Sequence, residues 1–240
     1  KCVEVCPVEA KKIRNDLPVV RQLLRSSEPV YVSLAPSWGS EFRGLPAGKL
    51  IAALKKLGFT GVSETALGAQ MVSDELASRM RKFNKGLMLS SACPVVVDFV
   101  QKYLPEFSDA ITQVLSPALS HAIYLRKIYG EDIKIVFIGP CIAKKNEADR
   151  YPSLISSVLL YSDLRQWLRD EKIDPWQLDE TEEDCFVPEN SREGALYPIE
   201  GGMNETLKAH EGCEHVNYAV VAGIDALRQS FLELPASSRS

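Results

Sequence analysis

The chain has 240 residues, of which 45% are hydrophobic and 25% are charged, and its formal net charge is −4 at pH 7. This composition excludes a disordered, collagenous or disulfide-stapled chain, and the negative charge gives no electrostatic reason to expect nucleic acid as a partner. The longest uncharged stretches are too short to span a membrane. We therefore expect a cytoplasmic protein with no membrane partner.

Helix and strand patterns alternate along the chain. In chain order we predict a helix beginning after Asp16, a strand over 30–34, a helix over 46–57, a strand over 59–62, a helix over 71–83, a strand over 87–89, helices over 94–103 and 117–129, a strand over 133–138, helices over 163–169 and 203–210, a strand over 218–222 and a helix over 224–232. The acidic segment 174–193 is predicted to be an exposed insertion. This alternation indicates an α/β fold with mainly parallel sheet, whose sites gather at the carboxyl ends of strands.

Two cysteines occupy equivalent places in this pattern. Cys93 and Cys141 each follow an apolar strand and a turn, beside a proline, where a helical stretch begins. A helix N-terminus favours a thiolate, and soft metal centres bind thiolates. Packing as small buried residues is the alternative for each. None of the three histidines lies in a recognisable motif with a cysteine, so a Cys–His hydrolase has little support.

The N-terminal pair Cys2-x3-Cys6, followed by Pro7, has its own interpretation. Bacterial ferredoxin motifs end in C-x3-C-P, and the last cysteine of such a motif serves a second cluster. The pair is therefore interpreted as the end of a ferredoxin motif whose first half lies upstream. An incidental surface pair is the alternative.

Four segments together resemble one family. Residues 90–94, Ser-Ser-Ala-Cys-Pro, resemble T-S-C-C-P-x-W, the first signature of the iron-only (FeFe) hydrogenases. Residues 140–147 keep Pro140, Cys141, Lys144 and Glu147, and so resemble the second signature, M-P-C-x-x-K-x-x-E. Between them, residues 103–106 and 116–117 resemble the Y-P-E and S-P-Q stretches of the family. The resemblance covers nearly the whole chain.

This resemblance implies two lobes of mainly parallel sheet flanked by helices, with a 4Fe–4S cluster and a diiron subcluster carrying CO and CN⁻ between the lobes. It implies that Cys93 and Cys141 are two of four thiolate ligands. It further implies that Lys144 donates a hydrogen bond to a cyanide and that Glu147 pairs with Lys144 or orients it. Cys2 and Cys6 are expected to ligate ferredoxin-type clusters that carry electrons. The residues expected to lie against the cofactor are Ser90, Pro94, Ser116, Pro117 and Pro140.

The departures from the family pattern bear on activity. Ala92 stands where catalytic members have a second cysteine, which passes protons to the diiron site. Alanine has no exchangeable proton, so the relay is expected to be lost at Ala92, beside Ser91. Gly139 replaces the methionine and Ala118 the glutamine of the family patterns, and both changes are expected to open space near the diiron site.

Further changes lie in the predicted helix 71–83, where Glu75 is kept but Leu76 and Arg79 fall at positions expected to carry relay carboxylates. These changes resemble the sensory branch of the family, which is linked to PAS or phosphatase signalling modules. The expected function is sensing of H2 or redox state with little turnover. The alternatives are a catalytic hydrogenase, which joins two protons and two electrons into H2, and an iron–sulfur assembly scaffold.

The third family signature, E-x-M-x-C-x-x-G-C, is absent from the chain. We therefore expect residues 1–14 to be the tail of a ferredoxin-like segment and residues 15–240 to be an H-cluster-type domain cut before its last cysteine motif. The complete cofactor is expected in the full-length protein and not in this fragment. Cys185 and Cys213 match no signature and are expected to be free thiols, with a substitute ligand role for Cys213, near His215, as the alternative.

Overall fold

The computed structural model of the chain describes residues 6–8, 10–83 and 86–233, so the predicted ligand Cys2 lies outside the described residues. The strands are β1 (Val30–Leu34), β2 (Gly61–Glu64), β3 (Lys134–Gly139) and β4 (Ser157–Leu160). The helices are α1 (Leu17–Leu23), α2 (Trp38–Glu41), α3 (Ala47–Lys56), α4 (Thr65–Met80), α5 (Pro94–Tyr103), α6 (Pro117–Tyr129), α7 (Ala143–Arg150), α8 (Tyr161–Asp170), α9 (Gly202–Lys208) and α10 (Ile224–Glu233). Short 3₁₀ helices cover Pro105–Ala110, Pro175–Gln177 and Glu193–Leu196.

The chain divides into two compact units. Unit 1 comprises the described residues of the ranges 1–63 and 126–189, and unit 2 comprises those of 64–125 and 190–240. Unit 1 contains a four-stranded sheet in the order β2-β1-β3-β4. Strands β1 and β3 pair in parallel, as do β3 and β4. The predicted α/β class with a parallel sheet flanked by helices is therefore confirmed.

The central strands of this sheet are buried along almost their whole length. From Ile135 to Gly139 every residue of β3 is buried, and so is every residue of β4. Runs of this kind are typical of parallel sheets that are covered on both faces. Helix α3 contributes Leu50, Ile51 and Leu54, which share one helix face and are at most 1% exposed.

Unit 2 is built around α4 and α6. Gly68 on α4 lies so close to α6 that a Cβ at this position would meet the Pro117 carbonyl oxygen and the His121 backbone. Glycine is therefore required for this approach of the two helices. Beside it, Val72, Leu76 and Met80 form an apolar cluster with residues from the C-terminal part of the chain.

Two predicted strands are not strands in the structure. Leu89 makes an isolated parallel bridge with Ile111, and residues 218–222 are not in a strand. Val220 and Val221 are 49% and 38% exposed, so the apolar run 218–222 does not mark a buried strand. Conversely, β4 was not predicted, and α4 begins at Thr65 rather than at residue 71, because its first turns are buried on several sides and lack an amphipathic pattern.

The acidic segment 174–193 is attached to unit 1 more closely than predicted. Phe186 is 8% exposed, and the Val187 N–H donates to the Val62 carbonyl oxygen at 2.9 Å. Lys55 Nζ lies 3.0 Å from Asp184 Oδ1. The predicted exposure of the segment is confirmed for most of its residues, and the exception is Phe186, which together with the Lys55–Asp184 ion pair anchors the segment.

His121 on α6 gives unit 2 a pH-dependent stability. The ring is fully buried, and burial lowers the pKa of His121 to about 3. Below pH 6.5 the histidine of the unfolded chain takes up a proton, whereas the buried His121 of the folded chain does not. The free energy of unfolding is therefore highest above pH 6.5 and declines as the pH falls towards 3. Relative to a His121→Gln variant, we expect the free energy of unfolding to fall by about 2 kcal/mol between pH 6.5 and 5. Urea denaturation of both proteins at several pH values measures this difference, and a constant difference would contradict the prediction.

Candidate functional site

The predicted cysteine loop that contains Cys141 follows β3. Pro140 is exposed, Cys141 is half-buried, and the Lys144 N–H donates to the Cys141 carbonyl oxygen at 3.2 Å as α7 begins. The loop is thus a tight turn at the carboxyl end of the central strand. It presents the Cys141 thiol at the edge of unit 1 where parallel-sheet proteins place their sites.

An ion pair on α7 fixes the side chain of Lys144. Lys144 Nζ donates to Glu147 Oε2 at 2.6 Å, and the two side chains are 11% and 7% exposed. Residues three apart lie on the same helix face, which is why the motif spacing brings them together. The predicted pairing of Lys144 with Glu147 is therefore present in the structure. A charge-assisted bond this short holds the ammonium group in one place.

The neighbouring Lys145 was not singled out in the sequence. Its Nζ donates to Asp16 Oδ2 at 2.8 Å and to the Val158 carbonyl oxygen at 2.8 Å. Asp16 also pairs with Arg14 at 2.6 Å. Lys145 thereby ties α7 to the segment before α1 and to β4. The signal in the sequence is the pair of adjacent lysines after a buried strand, because consecutive residues lie on different helix faces.

The predicted cysteine loop that contains Cys93 precedes α5 in unit 2. Cys93 is exposed and occupies the N-cap position of α5, with backbone φ −107° and ψ 110°. Pro94 is the first residue of the helix, where it loses no hydrogen bond. The Val97 N–H donates to the Cys93 carbonyl oxygen at 3.2 Å. The predicted helix start is confirmed, and it presents an exposed thiol.

Hydrogen bonds hold the residues just before Cys93. The Ser91 hydroxyl donates to the Val114 carbonyl oxygen at 2.6 Å and lies 2.9 Å from Thr112 Oγ1. The Ala92 N–H donates to Ser90 Oγ at 3.2 Å, and that hydroxyl donates to Met203 Sδ at 3.2 Å. Ser90 and Ser91 therefore fix the shape of the loop. The Ala92 methyl group contributes no proton.

The pair Ser116-Pro117 begins α6. Ser116 is 3% exposed, its hydroxyl accepts from the Leu119 N–H at 3.5 Å, and Pro117 is the first residue of the helix. This is a helix-capping arrangement. The structure gives the pair a role in starting the helix; their predicted place beside a cofactor stays a prediction.

The prediction that Gly139 opens space is wrong. A Cβ on Gly139 would lie 2.8 Å from the Ala35 Cβ and 2.8 Å from Cε1 of Phe137. The first side-chain atom of a methionine would already meet these two residues of unit 1, so the glycine leaves no open space at that atom. Ala118, the other position where space was expected, is fully buried on α6, and the space expected there stays a prediction.

The positions on α4 that were expected to carry relay carboxylates, together with Glu75, differ in burial and in the partners of their side chains. Glu75 pairs with Arg79 at 2.7 Å, and the side chains are 51% and 40% exposed. Leu76 is 2% exposed and packs in the apolar cluster of unit 2. The kept carboxylate therefore takes part in a surface ion pair, and Leu76 serves as a core residue.

The remaining described cysteines differ in exposure. Cys213 is 1% exposed, packs in the apolar cluster and donates to the Ala77 carbonyl oxygen at a distance of 3.8 Å. Its predicted free-thiol state fits this packing, whereas a ligand role does not. Cys185 is exposed and Cys6 is half-buried. Within the described ranges, no group of three or more His, Cys, Asp or Glu side chains is arranged to hold a metal ion.

The side chains proposed as ligands are of the chemical type that an iron–sulfur cofactor binds. Cys93 is exposed and Cys141 is half-buried, both on loops at helix starts, and Lys144 offers a fixed cationic donor close to Cys141 in sequence. Iron–sulfur clusters take thiolate ligands. Each loop, taken by itself, supplies one cysteine of the kind that such clusters bind. Every helix in the described part of the chain is too short or too polar to span a lipid bilayer.

Comparison with known proteins gives a consistent result. Residues 28–237 match the family described as iron only hydrogenase large subunit, C-terminal domain. The chain is 28% identical to iron hydrogenase 1 of Clostridium pasteurianum over 95% of the chain. It is 25% identical to the NADP-reducing hydrogenase subunit HndD of Solidesulfovibrio fructosivorans over 96% of the chain. In both cases the matched region is 46% of the relative, so the chain spans about half the length of these curated relatives.

Among solved structures, the chain is similar to a variant of the FeFe hydrogenase HydA1 from Chlamydomonas reinhardtii. The TM-score is 0.67 at 21% identity, over 88% of this chain and 62% of that one. This likeness concerns the fold, and it agrees with the α/β architecture described above.

Proposed function

Because the chain belongs to the iron-only hydrogenase large subunit family, as its C-terminal domain, we propose that it forms the protein environment of an H-cluster that senses H2 or redox state with little turnover. The family supplies the class of cofactor, and the residues of this chain supply the specific proposal. The proposal of sensing with little turnover is supported by Ala92, which replaces the second cysteine in a loop that otherwise resembles that of the family.

Cys93 and Cys141 are the proposed thiolate ligands. Cys93 is exposed and Cys141 is half-buried, and each residue lies where a backbone turn meets a helix. When bound, the cluster and its diiron partner supply an open iron position for H2 and a store for electrons. Lys144, held at 2.6 Å from Glu147, is proposed to direct an N–H towards a cyanide ligand.

Proton supply distinguishes the sensor from an enzyme. Near Ala92 the hydroxyl protons of Ser90 and Ser91 are donated to Met203 Sδ and to the Val114 carbonyl oxygen. Neither hydroxyl is therefore oriented as a donor to a neighbouring acid or base. With alanine at this position, we propose that proton exchange is slow and that H2 binding registers as a change of redox state.

The remaining parts of the proposal concern the surroundings of this domain. Electrons are proposed to pass through ferredoxin-type clusters, with Cys2 and Cys6 among their ligands and residues 1–14 as the end of that segment. A PAS or phosphatase module is the proposed receiver of the signal. The proposed location is the cytoplasm.

Infrared spectroscopy tests the proposal on the natural gene product that carries these residues, after maturation with the diiron subcluster. A sensor is expected to show CO and CN⁻ bands that shift when H2 replaces argon, together with low H2 evolution. Absence of such bands would overturn the proposal in favour of an assembly scaffold. Bands accompanied by rapid evolution would overturn it in favour of a catalytic hydrogenase.

The 240-residue chain itself is expected to hold a 4Fe–4S cluster poorly. Two matching thiolates are half of the usual four, so a reconstituted cluster lacks protein ligands on two irons. Anaerobic reconstitution followed by iron and sulfide analysis should give well under one cluster per chain. A Cys93→Ser/Cys141→Ser variant measures the adventitious background, and a full complement of four irons and four sulfides in the unsubstituted chain would contradict this expectation.

A further inference from the structure

A groove in unit 1 lies outside both cysteine loops. It is lined by the last residue of α2 and those that follow it, by the C-terminal half of α8 with the turn after it, and by the start of the acidic segment 174–193. Its volume is about 790 Å³. This volume lies within the range of small-molecule binding sites.

The groove is positively charged, although the chain as a whole carries a net charge of −4. Four cationic residues against two carboxylates give it a local charge of +2, the residues being Arg43, Arg165, Arg169 and Lys172 against Glu41 and Asp174. Arg165 is neutralised by Glu41 at 2.9 Å, and Arg169 donates to the Gln166 amide oxygen at 2.7 Å. Within the described part of the chain, the side chains of Arg43 and Lys172 make no hydrogen bond or ion pair. Three cations thus lack a carboxylate partner and are available to an anion.

An aromatic residue stands in the same groove. Trp176 is 52% exposed, yet its backbone is fixed on both sides. Its N–H donates to Asp174 Oδ1 at 3.0 Å, and its carbonyl oxygen accepts from Lys49 Nζ at 3.0 Å. A Cβ on Gly44 would lie 3.6 Å from the edge of the indole ring, so the ring rests against this glycine. A large aromatic side chain on a fixed backbone, left exposed, is suited to stack on a flat ring.

We propose that this groove binds a nucleoside polyphosphate, with the base against Trp176 and the phosphates at Arg43, Arg169 and Lys172. Arginine and lysine side chains are the usual partners of phosphate oxygens. The groove combines an exposed aromatic residue with three cations that lack a carboxylate partner, in a volume suited to one small molecule. A nucleic acid strand is disfavoured, because the net negative charge of the chain opposes a long polyanion.

Calorimetric titration of the 240-residue chain with ATP tests the proposal, at an ionic strength of about 0.15 M so that loose surface attraction is screened. Saturable binding of one ATP per chain is expected. Arg169→Glu should weaken the affinity about 10- to 100-fold, the loss expected for a hydrogen bond to a charged group. Trp176→Leu should weaken ATP binding and leave the affinity for inorganic tripolyphosphate unchanged. Thermal unfolding of each variant shows that the fold is retained.

Arg25→Glu is the matched control. Arg25 is an exposed cation that lines the neighbouring groove, so its replacement makes the same change of charge outside the proposed site. Unchanged ATP affinity in this variant supports a defined site. Equal weakening by Arg25→Glu and Arg169→Glu, affinity for tripolyphosphate equal to that for ATP, or no saturable binding would each overturn the proposal. None of these results depends on an H-cluster.

Discussion

Replacing Ala92 by cysteine in the natural gene product, matured with its diiron subcluster, is expected to raise the rate of hydrogen evolution by about 10²- to 10⁴-fold, the usual contribution of a positioned proton donor. Cysteine adds one sulfur atom to a half-buried methyl group on a loop whose backbone is held by Ser90 and Ser91. The substitution therefore adds an exchangeable proton and leaves the loop in place.

The control for this experiment is Ala92→Ser. A hydroxyl is close in size to a thiol but is a far weaker acid, so a serine variant should gain much less activity than the cysteine variant. Dye-coupled hydrogen evolution measures the rates, and the infrared bands report whether the three proteins carry the same amount of cofactor. Equal rates at equal cofactor content would show that the missing thiol is not what limits turnover.

Loss of Lys144 is expected to destabilise unit 1 even without a cofactor. Lys144→Met leaves the carboxylate of Glu147 with its side chain 7% exposed and without its ammonium partner. Removing one member of a buried ion pair costs about 3 kcal/mol or more in free energy of unfolding. The double variant Lys144→Met/Glu147→Leu should recover most of this loss, because no charge is then left buried. Urea denaturation of the 240-residue chain measures both effects.

A pair of the same spacing provides the comparison. Lys208 and Glu205 on α9 are three residues apart and 2.8 Å from each other, but their side chains are 51% and 63% exposed. Lys208 Nζ also lies 5.8 Å from the centre of the Tyr218 ring, so Lys208→Met should change the stability by no more than about 1 kcal/mol. Similar losses for Lys144→Met and Lys208→Met would mean that burial does not strengthen the α7 pair.

The elements that the sequence predicts well are those with strong local signals. A proline at the first helical position marks α5 and α6, and an uninterrupted apolar run marks β3. The pairing of Lys144 with Glu147 is implied by the resemblance to the family motif, and the structure explains it because residues three apart share one helix face. These features depend on interactions between residues that are close in the sequence, which is why a single chain is enough to predict them.

The features that were missed depend on distant partners. Lys145 meets Asp16 across 129 positions of the chain, and nothing near Lys145 in the sequence indicates that carboxylate. The anchoring of Val187 to Val62 is of the same kind. The apolar run 218–222 resembles a strand, but a strand also requires a neighbour to pair with, and periodicity does not report one.

The packing around Gly139 constrains the order in which substitutions can accumulate at this position. Because Phe137 and Ala35 fill the volume beside Gly139, a methionine introduced alone meets two side chains that have little room to move. A smaller residue at position 137 must come first or at the same time. Introducing the methionine of the family pattern into this chain is therefore expected to need both changes together, because the methionine alone overpacks unit 1 and a smaller residue 137 alone leaves a cavity.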